Sequence, residues 1–414
     1  MHCSIQSRFL PSNLEGELRQ NSHRQHIEKY IAEHGMKNID VPIKTMLETA
    51  HLEPLLIAVT GETGVGKSTF INTMRGLSRN DPGAANSSSM HECTMDVMEY
   101  PDPRNPKLVY CDLPGVGSAK FPKDEYAKKL SLDRYDFFII LSRERFTEND
   151  LYLANEIKGL GKKFYFVRSR IDQSLNNERE ENDGNQFDEG DYVNRVKAMT
   201  ENILKEKLGN HPVFVISGTL KNYTKWEFPK LVQALMDGAP DVKKEIIIRT
   251  ITANSLEAIN QKVAVLRQRI FIAAVAAAAV GIIPIPFLPF ACNLGVVTRE
   301  IHNYMKDFGL GEVSLENLAR KHNMSRAELE RKIFGDSNIL ESNDSSAVNA
   351  AVQKILMQAV ASNVAGECVR LTPILGQILP SAASFFTVIH ALETLLSEIS
   401  TLSITLMEHL IQLS

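Results

Sequence analysis

LLIAVTGETGVGKSTFINTMRGL, residues 55–77, decides the fold. The apolar run Leu55 to Thr60 reads as a buried strand, and Gly61-Glu62-Thr63-Gly64-Val65-Gly66-Lys67-Ser68 then fits G-x-x-x-x-G-K-[ST] before Thr69 and Phe70 enter a helical pattern. Strand, glycine loop and helix come in the order that a phosphate loop requires. Glycines let backbone N–H groups turn toward phosphate oxygens, and the helix directs its positive end at the same anion. On this reading residues Gly61 to Thr69 cradle a nucleotide, Lys67 reaches the β and γ phosphates, and the Ser68 hydroxyl holds Mg2+.

Outward from this loop, KLVYCD, DFFIILS, FYFVR and PVFVIS are short apolar runs separated by helical stretches, with TMDVMEY as an edge strand. That alternation predicts an α/β fold built on a wound, mostly parallel sheet. YCDLPGVGS places Asp112 at a strand end and Gly115 three residues on, the D-x-x-G spacing of a nucleotide switch; Asp112 is expected at the metal and the Gly115 N–H at the γ phosphate. Within NDPGAANSSSMHECTMDVMEY several hydroxyls compete to complete the metal shell, and Thr94, at the loop-to-strand boundary, is the choice.

FYFVRSRIDQS, residues 164–174, stands where a guanine reader carries Asn-Lys-x-Asp or Thr-Lys-x-Asp. Asp172 keeps the carboxylate that accepts from the guanine N1 and amino group. Arg170 replaces lysine with a planar cation able to cover the base, and Ser169 keeps a small polar side chain. Ser217 and Gly218 follow the last strand, where backbone N–H groups approach the guanine carbonyl. GTP or GDP with Mg2+ is therefore the expected ligand set. The acidic run from Gln173 to Asp191 has almost no apolar residue and is predicted to be a solvated loop.

With 46 Lys plus Arg against 50 Asp plus Glu, nothing in the charge balance points to a nucleic-acid partner. Five scattered cysteines without metal spacing favour a reducing, cytoplasmic setting. His2 stands where N-myristoylation needs glycine, so attachment to membranes would rest on helices or on acylation of Cys3.

Beyond about residue 238 no strand pattern recurs, and Ser325 with Glu328 forms a capping-box pattern. No charge occurs between Arg269 and Arg299, but Pro284, Pro286 and Pro289 interrupt the run, which favours a buried helix pair over a membrane insertion. The tail from Glu393 carries one apolar stripe for packing or for lipid and partner contact. Helices in 1–52, a nucleotide domain over 53–237 and a helical domain over 238–414 are the expected organisation.

GETGVGKSTFINTMRGL, CDLPGVGSAKFPKDEYAKKL, YDFFIILSRERFTENDLYLANEI, KFYFVRSRID and SLENLARKHNMSRAELE together resemble the immunity-related GTPases over nearly the whole chain. The resemblance implies a Ras-like P-loop GTPase domain set on an all-α domain built from both chain ends, a lysine-type phosphate loop at Lys67, and Thr94 as the switch threonine. It also implies GTP-dependent self-association, peripheral contact with intracellular membranes, assembly-stimulated hydrolysis and a role in cell-autonomous innate defence. Arg170 departs from the family's Thr-Lys-x-Asp.

Val116 stands where many small GTPases carry a water-orienting Gln, so slow intrinsic turnover is expected, with Glu92 positioning water or nucleotide once two nucleotide domains dock. The alternatives are a nucleotide-holding scaffold with negligible hydrolysis and an ATPase, against which Asp172 argues.

Overall fold

A computed structural model describes residues 29–30, 33–34, 53–85, 97–116, 122–143, 146–181, 187–240, 243–252, 255–280, 288–335, 350, 352–358 and 382–413. The helices expected within 1–52, the features at His2 and Cys3, and the expectations at Glu92, Thr94, Pro284 and Pro286 fall outside these residues or, for 1–52, almost entirely so.

Six strands form one sheet: β1 (Leu55–Thr60), β2 (Met98–Pro101), β3 (Leu108–Asp112), β4 (Phe137–Ser142), β5 (Lys163–Arg168) and β6 (Val213–Val215), in the order β2-β3-β1-β4-β5-β6. Every pair is parallel except β2 on β3, which is antiparallel at the edge. All five strands predicted from apolar runs are present, and the predicted edge strand β2 lies at one edge, with β6 at the other. β3 and β4 are buried along their whole length, which is why they read as unbroken apolar runs rather than alternating ones.

Helices α1 (Lys67–Met74), α2 (Lys123–Lys129), α3 (Glu148–Gly159), α4 (Ile171–Glu181), α5 (Glu189–Leu208) and α6 (Phe228–Gly238) connect or follow the strands. Successive inward residues of the sheet, Ala58, Cys111, Phe138, Ile140 and Phe166, pack with Tyr126 of α2, Leu151, Ala154 and Ile157 of α3, and Leu204 of α5 in one apolar core. Registers Ala58↔Cys111 and Ala58↔Phe138 place these side chains on a common face.

Helix α4 corrects the sequence reading, which predicted a solvated loop from Gln173 to Asp191. Ile171 and Leu175, one helical turn apart, are both buried against Val193, Val196 and Val215. Two apolar positions are too few to announce a period in a polar segment, yet they suffice once α5 and β6 provide the surface. Arg179 pairs with Glu189 at 2.6 Å, and Asp188 caps α5 by accepting from the Asp191 N–H.

The rest of the described chain is helical, as predicted: α7 (Lys244–Thr250), α8 (Leu256–Val280), α9 (Leu288–Asp307), α10 (Glu312–Lys321), α11 (Arg326–Phe334) and α12 (Ala382–Leu413). Pro289 is the second residue of α9, where a missing N–H costs nothing. The Ser325 hydroxyl accepts from the Glu328 N–H at 3.1 Å at the start of α11. Among the described residues no helix is long and apolar enough to cross a membrane.

The chain divides into two compact units. One contains Leu52–Lys262, Lys306–Ile333 and Leu402–Ser414; the other includes Val263–Met305 and Phe334–Thr401. Within the second unit, Leu392, Leu395, Leu396 and Ile399 of α12 form a buried stripe, and Arg267 pairs with Glu393 at 3.2 Å.

In the first unit, fully buried Lys262 donates to the carbonyls of Ile248 at 2.7 Å and Arg249 at 2.8 Å, where its amine meets the C-terminal turn of α7. Burial lowers its pKa to about 7, against the opposing pull of Asp307. The native side chain therefore sheds its proton near pH 7, whereas the unfolded one keeps it to about pH 10.5. Between these values the unfolded chain binds more protons, so stability from this group rises with pH and is lost as pH falls toward 7. The urea-unfolding free energy of the wild type should gain about 2–3 kcal/mol on that of Lys262→Met between pH 7 and 9. A constant difference across that range contradicts this placement.

Candidate functional site

Gly61 ends β1 with φ of 137°, and a Cβ there would lie 2.2 Å from the Leu141 carbonyl oxygen. Only glycine lets the chain turn off β1 this close to β4. The loop then closes at Gly66, the N-cap of α1, with φ of 103° and no side chain capping the helix. The first-turn N–H groups of α1 are thus left to face an anion rather than a protein oxygen. Lys67 folds back over the loop, its Nζ donating to the Gly61 carbonyl at 3.1 Å and the Glu62 carbonyl at 3.4 Å. Glu62, Thr63 and Gly64 are exposed, Val65 is buried, and Ser68 and Thr69 are half-buried.

Asp112 reaches the same place from the end of β3, paired in register with Val59 beside the loop. It is 4% exposed, and burial raises its carboxyl to about pH 6 against the lowering influence of Lys67 and a hydrogen bond from Ser68. Its Oδ1 is buried without a hydrogen-bond partner among the described residues. An orphaned carboxylate oxygen next to a serine hydroxyl is the donor set of a hard divalent cation, so these residues fit magnesium. Gly115 approaches the loop closely enough that its Cβ would stand 3.7 Å from the Gly61 carbonyl. The next carbonyl, of Val116, accepts from Asn149 Nδ2 at 3.1 Å.

The β5 end brings in the third group. Ser169, 2% exposed, donates through Oγ to the Val65 carbonyl at 2.7 Å, and its N–H donates to Ser142 at 2.8 Å. Arg170 takes a left-handed conformation, φ 59°, and its guanidinium donates to the Gly64 carbonyl. Two consecutive residues after β5 are therefore bonded to two consecutive carbonyls of the phosphate loop. The Ile171 N–H donates to the Ile216 carbonyl at 3.1 Å, which sets Asp172, half-buried, in the first turn of α4.

From β6, Ser217 is fully buried and the Gly218 carbonyl accepts from the Thr73 hydroxyl at 2.6 Å. A Cβ on Gly218 would lie 3.8 Å from the Phe70 backbone nitrogen, so this loop rests on α1 itself. The structure thus brings together Gly61 to Thr69, Asp112, Gly115, Ser169 to Asp172, Ser217 and Gly218.

Sequence reasoning passed over Thr147 and Asp150. Thr147 caps α3 in a reciprocal box with Asp150, and Asp150, buried to 6% exposure, shares a cavity of about 340 Å3 with Glu62, Val65 and Arg143 beside the loop. Burial raises the Asp150 pKa. The signal was present as Thr-x-x-Asp ahead of an apolar period.

With this geometry established, comparison with known proteins is specific. The sequence model of the interferon-inducible GTPase (IIGP) family matches residues 20–399. T-cell-specific guanine nucleotide triphosphate-binding protein 2 of Mus musculus is 36% identical over 321 residues, which cover 77% of this chain and 76% of that protein. Interferon-gamma-inducible GTPase 10 of Mus musculus is 33% identical over 340 residues, covering 80% and 79%. Interferon-inducible GTPase 1 of Mus musculus is 33% identical over 312 residues, covering 75% and 74%. A phosphate loop on a mostly parallel sheet, followed by helices and matched over this span, means that the chain belongs to the interferon-inducible GTPase family.

Proposed function

We propose that the chain binds GTP with Mg2+ at the loop Gly61–Thr69 and hydrolyses it slowly as a monomer and faster in a self-assembled state. The observation that carries this reading is the bonding of Ser169 and Arg170 to the Val65 and Gly64 carbonyls, which couples the base side of the site to the phosphate side.

In this reading the loop N–H groups and Lys67 bind the triphosphate, and Asp172 accepts from the guanine edge. Ser217 and Gly218 approach the guanine carbonyl. Ser68 and Asp112 hold the magnesium, with Thr94 completing the shell. The metal neutralises charge on the β and γ oxygens. Gly115 senses the γ phosphate through its N–H. Glu92 positions the attacking water or the nucleotide in a docked pair of nucleotide domains.

We further assign 53–237 to the nucleotide domain, with 1–52 and 238–414 contributing to a helical domain. The protein acts from the cytoplasm, peripherally on intracellular membranes, in cell-autonomous defence. The names of the mouse relatives, a guanine nucleotide triphosphate-binding protein and interferon-inducible GTPases, support the nucleotide part of this reading.

A scaffold that holds nucleotide and hydrolyses almost none is the second reading. It is favoured by Val116, whose side chain packs on the apolar core and whose carbonyl is occupied by Asn149. Single-turnover GTP hydrolysis at rising protein concentration separates the two. Specific rate is expected to grow with concentration, and Glu92→Ala is expected to remove that growth. A flat, near-zero line at all concentrations selects the scaffold.

A further inference from the structure

At the opposite end of α1 from the phosphate loop, the first unit encloses a cavity of about 460 Å3. This volume lies within the roughly 300–1,000 Å3 of small-molecule sites. Thr73, Gly76 and Leu77 form its α1 side, and Phe308, Leu318, Leu406, Met407 and Leu410 make the greater part of the wall. Most of the wall is therefore hydrocarbon, and an occupant gains most by burying an apolar body.

The polar groups on the wall are largely committed elsewhere. Arg75 donates to the Pro101 carbonyl at 3.1 Å and the Gly83 carbonyl at 2.9 Å. Arg104 bonds both Asp102 oxygens, the Met74 carbonyl at 2.7 Å and the Thr252 hydroxyl. The Thr73 hydroxyl is given to Gly218, and Glu312 is paired with Arg326.

Lys306, Ser314 and Ser403 stand apart from these, Lys306 as the charged one and Ser403 as the most buried. Lys306 is exposed, and its ammonium makes no ion pair or hydrogen bond among the described residues. Ser403 is 3% exposed, and its hydroxyl likewise has no partner among them. Both are donors, which suits a head group that only accepts. Among the lining cations Arg104 is bonded on all three of its nitrogens and Arg75 on two, whereas Lys306 is wholly uncommitted among the described residues, and one free ammonium matches a single negative charge.

We propose that this cavity binds a long-chain monocarboxylate, a free fatty acid, with its chain against Leu77, Leu406 and Leu410 and its carboxylate on Lys306. The site is separate from the nucleotide loop, and the proposal stands whether or not the reading of that loop does.

The test uses the full chain and the fluorescent polyene cis-parinaric acid below its micelle concentration. Saturable enhancement at one probe per chain is expected, reversed by oleate. The methyl ester should bind about tenfold more weakly, and Lys306→Glu should weaken the acid by about tenfold while Lys306→Arg retains it. Leu406→Trp, which fills the cavity, should abolish the signal; because that residue is buried, the exposed Lys306 variants keep the test independent of a folding defect. Absence of saturable enhancement in the wild type overturns the site. Equal affinity of ester and acid, or full binding by Lys306→Glu, overturns the carboxylate assignment. Undiminished binding by folded Leu406→Trp shows that the probe sits elsewhere.

Discussion

Gly61→Ala is expected to cost at least about 100-fold in GTP affinity, because a Cβ placed 2.2 Å from the Leu141 carbonyl oxygen cannot be relieved by a rotamer change. Both contacting groups are backbone, one at the end of β1 and the other in β4, and these strands are paired from Ile57↔Phe137 to Thr60↔Ile140. Relief therefore means moving the loop away from the sheet. That displaces the carbonyls that Lys67 touches and the Val65 carbonyl that Ser169 holds. The same Cβ would also stand 3.2 Å from Val65 Cγ2 within the loop.

Gly161→Ala is the control for the backbone term alone. Gly161 also has positive φ, 67°, but a Cβ there meets no atom within 4 Å. It should cost about 1–2 kcal/mol of stability with GTP affinity unchanged. Titration with a fluorescent GTP analogue, alongside unfolding midpoints, reads both. An affinity loss in Gly61→Ala no larger than in Gly161→Ala means that the loop geometry does not hold the nucleotide.

Asp172→Asn should invert the base preference. The amide replaces an acceptor-only carboxylate with a group that must present a donor to one of the two guanine N–H sites, so two charge-assisted bonds become one neutral bond and one clash of donors. Each lost bond to a charged partner is worth about 1.5–3 kcal/mol, which gives a fall in GTP affinity of at least about 100-fold. Xanthosine triphosphate, with a carbonyl where guanine has its amine, should gain over the same range. Competition between the two nucleotides for the wild type and the variant decides it, and an unchanged preference means that Asp172 does not touch the base.

The neighbouring Arg170 sharpens this prediction. Its left-handed backbone, unusual for a side chain with a Cβ, is held between the donation of its guanidinium to Gly64 and the start of α4 at Ile171. That geometry fixes where Asp172 emerges. Substituting Asp172 alone leaves both anchors in place, so the change in preference should come without loss of fold.

Some of this protein was legible residue by residue. Leu55 to Ser68 specified strand, glycine loop and helix start because the chemistry of phosphate binding demands glycine, lysine and a hydroxyl at fixed local spacing. The buried strands β1, β3, β4 and β5 were equally plain, since burial on both faces leaves an apolar run that no neighbour can disguise. Helix α4 was not, because its two buried residues, Ile171 and Leu175, acquire meaning only from Val193, Val196 and Val215 on other elements.

The bonds from Ser169 to Val65 and from Arg170 to Gly64 span more than a hundred residues of chain. The orphaned oxygen of Asp112, the depressed lysine at Lys262 and the cavity beside Leu77 are likewise set by which surfaces meet. Local spacing encodes which chemistry a segment can perform. Distances, burial and the electrostatics that follow from burial are properties of the packed chain, because solvent exclusion is created by elements remote in sequence.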